Sequence, residues 1–82
     1  MITVRLPASL SRGSETREIT EPLSTVSDLI AALDRRIPGF ARGVDEAMFN
    51  FAVNDELVLQ RVNIHPLKDG DRVEIVPTIS GG

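Results

Sequence analysis

Pro66-Leu67-Lys68-Asp69-Gly70-Asp71-Arg72-Val73-Glu74-Ile75-Val76-Pro77-Thr78-Ile79-Ser80-Gly81-Gly82 is the stretch from which the rest of the sequence is read. Lys68-Asp69-Gly70-Asp71 carries turn chemistry, since glycine takes backbone angles closed to other residues and aspartate satisfies nearby amides. Beyond the turn, Val73 and Ile75 alternate with polar Arg72 and Glu74, the period-two pattern of a strand with one buried face. Val73 and Ile75 are expected to face the core, and Glu74 and Val76 to face outward. Pro77 has no N–H to give to a ladder and stops the strand. Thr78, Ile79, Ser80, Gly81 and Gly82 then form an extended tail whose five residues span at most about 16–18 Å. Two successive residues without a Cβ let such a tail thread a narrow channel and leave the last carbonyl carbon open to approach. The Gly82 carboxylate is the candidate reactive group, and the preceding residues are a handle that presents it.

The upstream segments supply the handle. Ile2, Val4 and Leu6 alternate with Thr3 and Arg5 in a first strand limited by Pro7. Residues 9–14 are polar with Gly13 and read as a turn or loop, and a weaker strand follows over 17–20, with Ile19 its main apolar residue. Thr25 is a helix N-cap with Asp28 at the third helical position, a variant of the capping box. Val26, Leu29, Ile30, Leu33 and Ile37 then recur at three- and four-residue spacing to make one apolar stripe. Arg35 and Arg36 suit the negative end of the helix dipole and read as a solvated helix end, and Pro38-Gly39 terminates the helix. Residues 40–47 form a connection with room for a short helical turn. Residues 48–53 read as a strand with Phe49, Phe51 and Val53 on one face. Asn54-Asp55 is a tight turn into a short strand over 56–60, and residues 63–66 form a loop.

The order is strand, strand, helix, strand, short strand, strand. One amphipathic helix covers only one face of a sheet, so the other face stays wet. This is an α+β architecture, a ubiquitin-like β-grasp with a mixed sheet and one main helix. On the wet face one of Phe49 and Phe51 would be free to serve an interface.

Eighty-two residues make one domain, spanning 1–82, with a modest core and no room for an enclosed catalytic cavity. There is no cysteine, so no disulfide supports the fold and no thiol can act as nucleophile or thiolate ligand. His65 is the single histidine and reads as a loop residue; no metal cluster is expected, and Asp69-Gly70-Asp71 reads as a turn. A net charge of −3 argues against nucleic acid or an anionic membrane as partner. No segment has the pattern of a signal peptide, and no apolar run approaches the roughly 20 residues that span a bilayer. The plain expectation is a soluble cytoplasmic protein.

Three segments resemble one family. Ala52-Val53-Asn54-Asp55-Glu56-Leu57-Val58, then His65-Pro66-Leu67-Lys68-Asp69-Gly70-Asp71-Arg72-Val73, then Pro77-Thr78-Ile79-Ser80-Gly81-Gly82 are similar to the MoaD/ThiS sulfur carriers, above all the small subunit of molybdopterin synthase. The resemblance implies that an E1-like enzyme uses ATP to adenylate the Gly82 carboxylate, and that a sulfur donor displaces AMP to leave a thiocarboxylate. It implies delivery of that sulfur to a cyclic pyranopterin phosphate inside a large subunit, in a heterotetramer of two small and two large chains. The carrier binds no cofactor in this scheme. Positions Pro7, Leu57 and Val76 match those that contact the large subunit. Members of this branch often carry aromatics where Pro7 and Val76 stand here, and a second proline where Thr78 stands. A sulfur carrier for thiamine or another sulfur-transfer route, a ubiquitin-like modifier of lysines, and an inert β-grasp binding module are the competing functions.

Overall fold

The computed structural model describes residues 1–10 and 15–78. Five strands form one sheet: β1 (Ile2–Leu6), β2 (Glu15–Ile19), β3 (Phe49–Val53), β4 (Glu56–Val58) and β5 (Arg72–Pro77). Their order across the sheet is β2-β1-β5-β3-β4. The β1–β5 pair is parallel and the others are antiparallel, so the sheet is mixed as expected. Helix α1 (Val26–Arg36) lies on one face, followed by the short α2 (Phe40–Asp45). This is the ubiquitin-like β-grasp.

The start of α1 is set by local chemistry. The Asp28 amide donates to Thr25 Oγ1, and Asp28 Oδ2 accepts the amides of Thr25 at 3.2 Å and Ser24 at 2.9 Å. The capping box is complete. The helix ends at Arg36 with Ile37 as its C-cap, the Ile37 amide donating to the Leu33 carbonyl at 2.7 Å, and Gly39, with a φ of 93° that costs glycine little, turns the chain into α2. Gly39 gives α2 no side-chain cap, and Asp34 of α1 substitutes by accepting the Ala41 amide at 3.0 Å.

Ile2, Val4, Leu6, Ile19, Phe51, Val53, Val73 and Ile75 from the sheet meet Val26, Leu29, Ala32 and Leu33 from α1 and Phe40 from α2. Each large apolar side chain so buried stabilises the fold by about 1.5–3 kcal/mol relative to exposure. No polar side chain is buried among the described residues. Phe40 stacks on Phe49 with centroids 5.4 Å apart and meets Phe51 edge-on at 6.3 Å. Phe49 and Phe51 therefore both point to the helical layer, and neither is available on the wet face. The reason is parity: residues 49, 51 and 53 share one side of a strand. Gly43 permits the close approach, since a Cβ there would stand 2.8 Å from Cε2 of Phe49.

Other expectations shift in detail. A 3-10 turn occupies Ala8–Leu10, closed by the Leu10 amide on the Pro7 carbonyl, and another occupies Val62–Ile64. Strand β2 starts two residues earlier than the pattern suggests. Strand β4 stops at Val58, and three residues later Arg61 takes a left-handed φ of 50°, turning the chain back over α1. Arg35 and Arg36 are not merely solvated. Both ion-pair with Glu21, and Arg36 Nη1 also donates to the Ala32 carbonyl at 2.8 Å. The hydrogen bond from Arg36, and the charges of both guanidiniums, hold the Glu21 carboxyl below its usual range.

Candidate functional site

The central strand β5 is tied at its beginning and presents its end. In the turn before it, the Lys68 amide donates to Asp71 Oδ2 at 2.8 Å, the Asp71 amide donates to the Lys68 carbonyl at 3.0 Å, and Gly70 has a φ of 89°. The Gly70 amide reaches the Met1 carbonyl at 2.7 Å, and the Thr3 amide reaches the Asp71 carbonyl at 3.1 Å, docking the turn onto β1. Asn54 Nδ2 donates to Asp71 Oδ1 at 2.9 Å, while Asn54 Oδ1 accepts the Arg72 amide at 3.0 Å. The Asn54 hydrogen bond, then the Lys68 amide, hold the Asp71 carboxyl below the usual carboxylate range. Asn54 and Asp55 have φ of 51° and 71°, the left-handed pair of a two-residue hairpin loop between β3 and β4. Asp69-Gly70-Asp71 is thus a structural turn. Among the described residues no group of three His, Asp or Glu side chains is arranged to hold a metal ion.

At its far end β5 runs alongside β3, with Val76 opposite Asn50 and Pro77 opposite Phe49. The missing proline N–H costs nothing at a non-hydrogen-bonded pair. Thr78 continues the ladder: its amide donates to the Met48 carbonyl at 2.9 Å and its hydroxyl to the Ala47 carbonyl at 2.8 Å. Thr78 was expected in the extended tail. It is fastened to the domain instead, because a threonine after the proline can still offer two donors to the strand beside it. Ile79, Ser80, Gly81 and Gly82 lie outside the described residues.

Even-numbered residues of β3 and β5 face away from the helices. Register puts Arg5, Glu74, Ala52 and Leu57 in one row across this open face, with Val76 and Asn50 in the next. The β1–β5 pairing ends at Arg5 and Glu74, and Pro7 stands just past the end of β1, before the 3-10 turn at Ala8–Leu10. Of the three expected contact positions, register places Leu57 and Val76 on this face, and Pro7 lies outside the ladder. Leu57 is 53% exposed there, whereas Val76 and Pro7 are half-buried. Thr3, Thr16, Arg5, Arg72 and Glu74 make the opposite part of this face polar, and Arg72 pairs with Asp55 at 3.3 Å. His65 remains in the loop, its carbonyl accepting the Val26 amide at 3.0 Å. The double anchor of Thr78 and the Glu21 clamp were not legible in the sequence, since neither has a spacing signature.

A five-stranded grasp with a threonine-anchored exit toward Gly81-Gly82 is matched by one family model, that of the ThiS family, over residues 4–82. The chain belongs to the ThiS family. It is a ubiquitin-like sulfur carrier of the ThiS/MoaD type. A chain of the Amycolatopsis orientalis BexX/CysO complex is 31% identical to this ThiS-family chain, with 100% of each covered and a TM-score of 0.76. A chain from the complex of subunits 1 and 2 of the molybdopterin-converting factor of Helicobacter pylori 26695 has 23% identity and a TM-score of 0.61, covering 99% of this chain and 97% of that one. SAMP1 of Haloferax volcanii has 21% identity and a TM-score of 0.67, covering 99% and 98%. The last two likenesses are of fold. No curated protein gives a significant match. Among the described residues no helix is long and apolar enough to cross a membrane.

Proposed function

We propose that this carrier works through the Gly82 carboxylate as the small subunit of a molybdopterin synthase. A carboxylate oxygen attacks the α-phosphorus of ATP on an E1-like enzyme, pyrophosphate leaves, and a mixed anhydride forms. A sulfur donor then attacks the carbonyl carbon and displaces AMP, leaving a C-terminal thiocarboxylate. Delivery of the sulfur to a cyclic pyranopterin phosphate follows inside a large subunit, in a heterotetramer of two small and two large chains, and water restores the carboxylate. The chain has no cysteine to hold a persulfide, so its own sulfur chemistry rests on the C-terminus. The carrier brings no resident cofactor.

The observation that supports this reading is the shared face of Leu57 and Val76 beside the anchored exit at Thr78. An exposed apolar patch of this sort marks an interface. A partner docked there stands next to the tail. Four residues beyond Thr78 reach at most about 13–14 Å, shorter than the full five-residue tail would allow. The partner's reaction centre must lie within that distance of the docked strand.

A second reading is favoured by the 31% identity to a chain of the BexX/CysO complex: the same thiocarboxylate serves a different sulfur-accepting enzyme. Reconstitution separates the two. The thiocarboxylated chain, mixed with a molybdopterin synthase large subunit and cyclic pyranopterin phosphate, is expected to build the dithiolene, and deletion of Gly82 to abolish this while leaving the fold intact. Intact mass of the protein from its native cell should show one oxygen replaced by sulfur. Lysine-linked conjugates in place of that replacement would move the assignment to a protein modifier.

A further inference from the structure

The two edges of the sheet are unlike. Strand β2 bears Glu15, Arg17 and Glu18, charges of the kind that keep an edge from pairing with another chain. Strand β4, at the other edge, holds Leu57 and Val58 and is followed by Leu59. Leu57 is 53% exposed and Leu59 67%. Hydrogen bonding alternates along an antiparallel strand. On β3 the even-numbered residues bond toward β5, since the Asn54 amide donates to the Arg72 carbonyl and the Met48 carbonyl accepts the Thr78 amide. Phe51 and Val53 therefore bond the other way, to Val58 and Glu56 of β4. The N–H and carbonyl of Leu57, and of Leu59 beyond it, are left on the outer edge. Parity puts both leucine side chains on the open face, and Glu56, Val58 and Gln60 on the helical side.

Outward from Val58, the segment Asp55-Glu56-Leu57-Val58-Leu59-Gln60-Arg61 is complementary to itself. Antiparallel pairing about a two-fold axis at Val58 sets Leu57 opposite Leu59, Glu56 opposite Gln60 and Asp55 opposite Arg61. We propose that a second copy of this chain pairs its β4 with this one in that register, joining the two sheets edge to edge. Leu57 and Leu59 then form a hydrogen-bonded pair on each side of the axis, which uses the outward backbone groups of both residues. Their side chains from the two copies make one apolar cluster on the open face. The Gln60 amide can donate to the Glu56 carboxylate. Arg61 has no ion pair among the described residues, and Asp55 keeps a side chain 84% exposed while it pairs with Arg72. Beyond Val58 a groove of about 600 Å3, lined by Val44, Phe49, Arg61, Val62 and Ile64, leaves space on the helical side. Arg61, at φ 50°, turns the chain out of the sheet, so the pairing is short and belongs with the weak interfaces below about 1,200 Å2. The pairing does not rest on the proposed function. Its consequence does: it covers Leu57, so a paired carrier withholds that residue from a docking partner until the copies separate.

The test follows the 15N-labelled chain from about 10 μM to 1 mM, a range that brackets micromolar-to-millimolar dissociation constants. The amides of residues 57–59 should move with concentration while those of residues 15–19 stay fixed, and sedimentation should show the dimer growing in. In a mixture of 13C-labelled and unlabelled chains, the α protons of Val58 should give an NOE between copies, because Val58 meets its counterpart at a non-hydrogen-bonded pair. Leu59→Lys places on this edge the residue that blunts edges in natural sheets, and should weaken the association about tenfold or more with core signals unchanged. Arg61→Asn, which tolerates left-handed angles and removes the charge, should weaken it about two- to fivefold, the worth of exposed ion pairs. A chain that stays monomeric throughout overturns the proposal and leaves the edge to a strand of another protein. Contacts between copies at β2, or a dissociation constant that neither substitution moves, overturn it equally. Failure of sulfur transfer would leave these spectra unaffected, so the two readings fail separately.

Discussion

The two faces of the sheet come from the same strands and do different work. On the covered face Val4, Val73, Ile75, Phe51 and Val53 are excluded from water by α1 and α2. On the open face Arg5, Glu74, Ala52, Leu57 and Val76 remain accessible to varying degrees; Ala52 and Leu57 share a row with Arg5 and Glu74, and Val76 stands one row nearer the end at which the chain leaves the sheet. Burial of one face satisfies folding without any contribution from the other. The open face is therefore free to carry apolar residues that folding does not require, as the proposed docking of a partner needs. The proposed docking gains from this separation, because changes on the open face leave the frame intact.

That comparison can be broken most forcefully at Phe51, which is 1% exposed and meets Phe40 edge-on. Phe51→Ala should cost about 3–5 kcal/mol, the usual loss for truncating a buried aromatic, read as a lower urea midpoint at unchanged slope. A loss under 1 kcal/mol would mean the covered face is not where stability resides.

The open face should behave in the opposite way. Leu57→Ser with Val76→Ser is expected to weaken binding to a molybdopterin synthase large subunit about tenfold or more, the effect of removing well-packed interface contacts. Stability should change much less than for Phe51→Ala, since surface substitutions usually stay within about 0.5 kcal/mol each. Calorimetric titration beside thermal melts reads both quantities. Equal damage to folding and binding would erase the distinction between the faces.

The smallest effect tests what keeps the faces in register. Asp71 is held below the usual carboxylate range by Asn54 and the Lys68 amide. A depressed folded-state value means that its stabilisation is fully present above the pKa of the unfolded chain and is lost as pH falls through the folded one. Melting temperature measured from neutral pH into the acid range should fall less steeply for Asp71→Asn than for the parent. Parallel curves would remove Asp71 from the account. Glu21, depressed first by its hydrogen bond to Arg36, titrates in the same direction and is the internal control.

Local chemistry made much of the fold legible. Thr25 and Asp28 announce a helix start because a capping box is completed within four residues, and Val73 and Ile75 announce a half-buried strand because side chains alternate. The turn at Asp69-Gly70-Asp71 and the hairpin at Asn54-Asp55 were legible for the same reason. The errors lie where partners are distant in sequence. Arg35 and Arg36 look solvated until Glu21 is brought beside them, and Thr78 looks like tail until Ala47 and Met48 supply two carbonyls. Strand parity puts Phe49 and Phe51 on one face, and the further expectation that one of them serves the wet face fails because both pack on Phe40.

By itself the sequence determined the order of elements, the capped helix, the alternation that gives the sheet a wet and a dry side, and the Gly-Gly end. These depend on residues within one turn or strand of each other. Only the tertiary structure decided the strand order with β5 at the centre, the placing of Leu57 and Val76 on one face, the anchoring of Thr78, and the groove beside Phe49 that Arg61 helps to line. Each of these arises from contacts between segments far apart in the chain, whose pairing is selected by burial of the whole core rather than by any local preference.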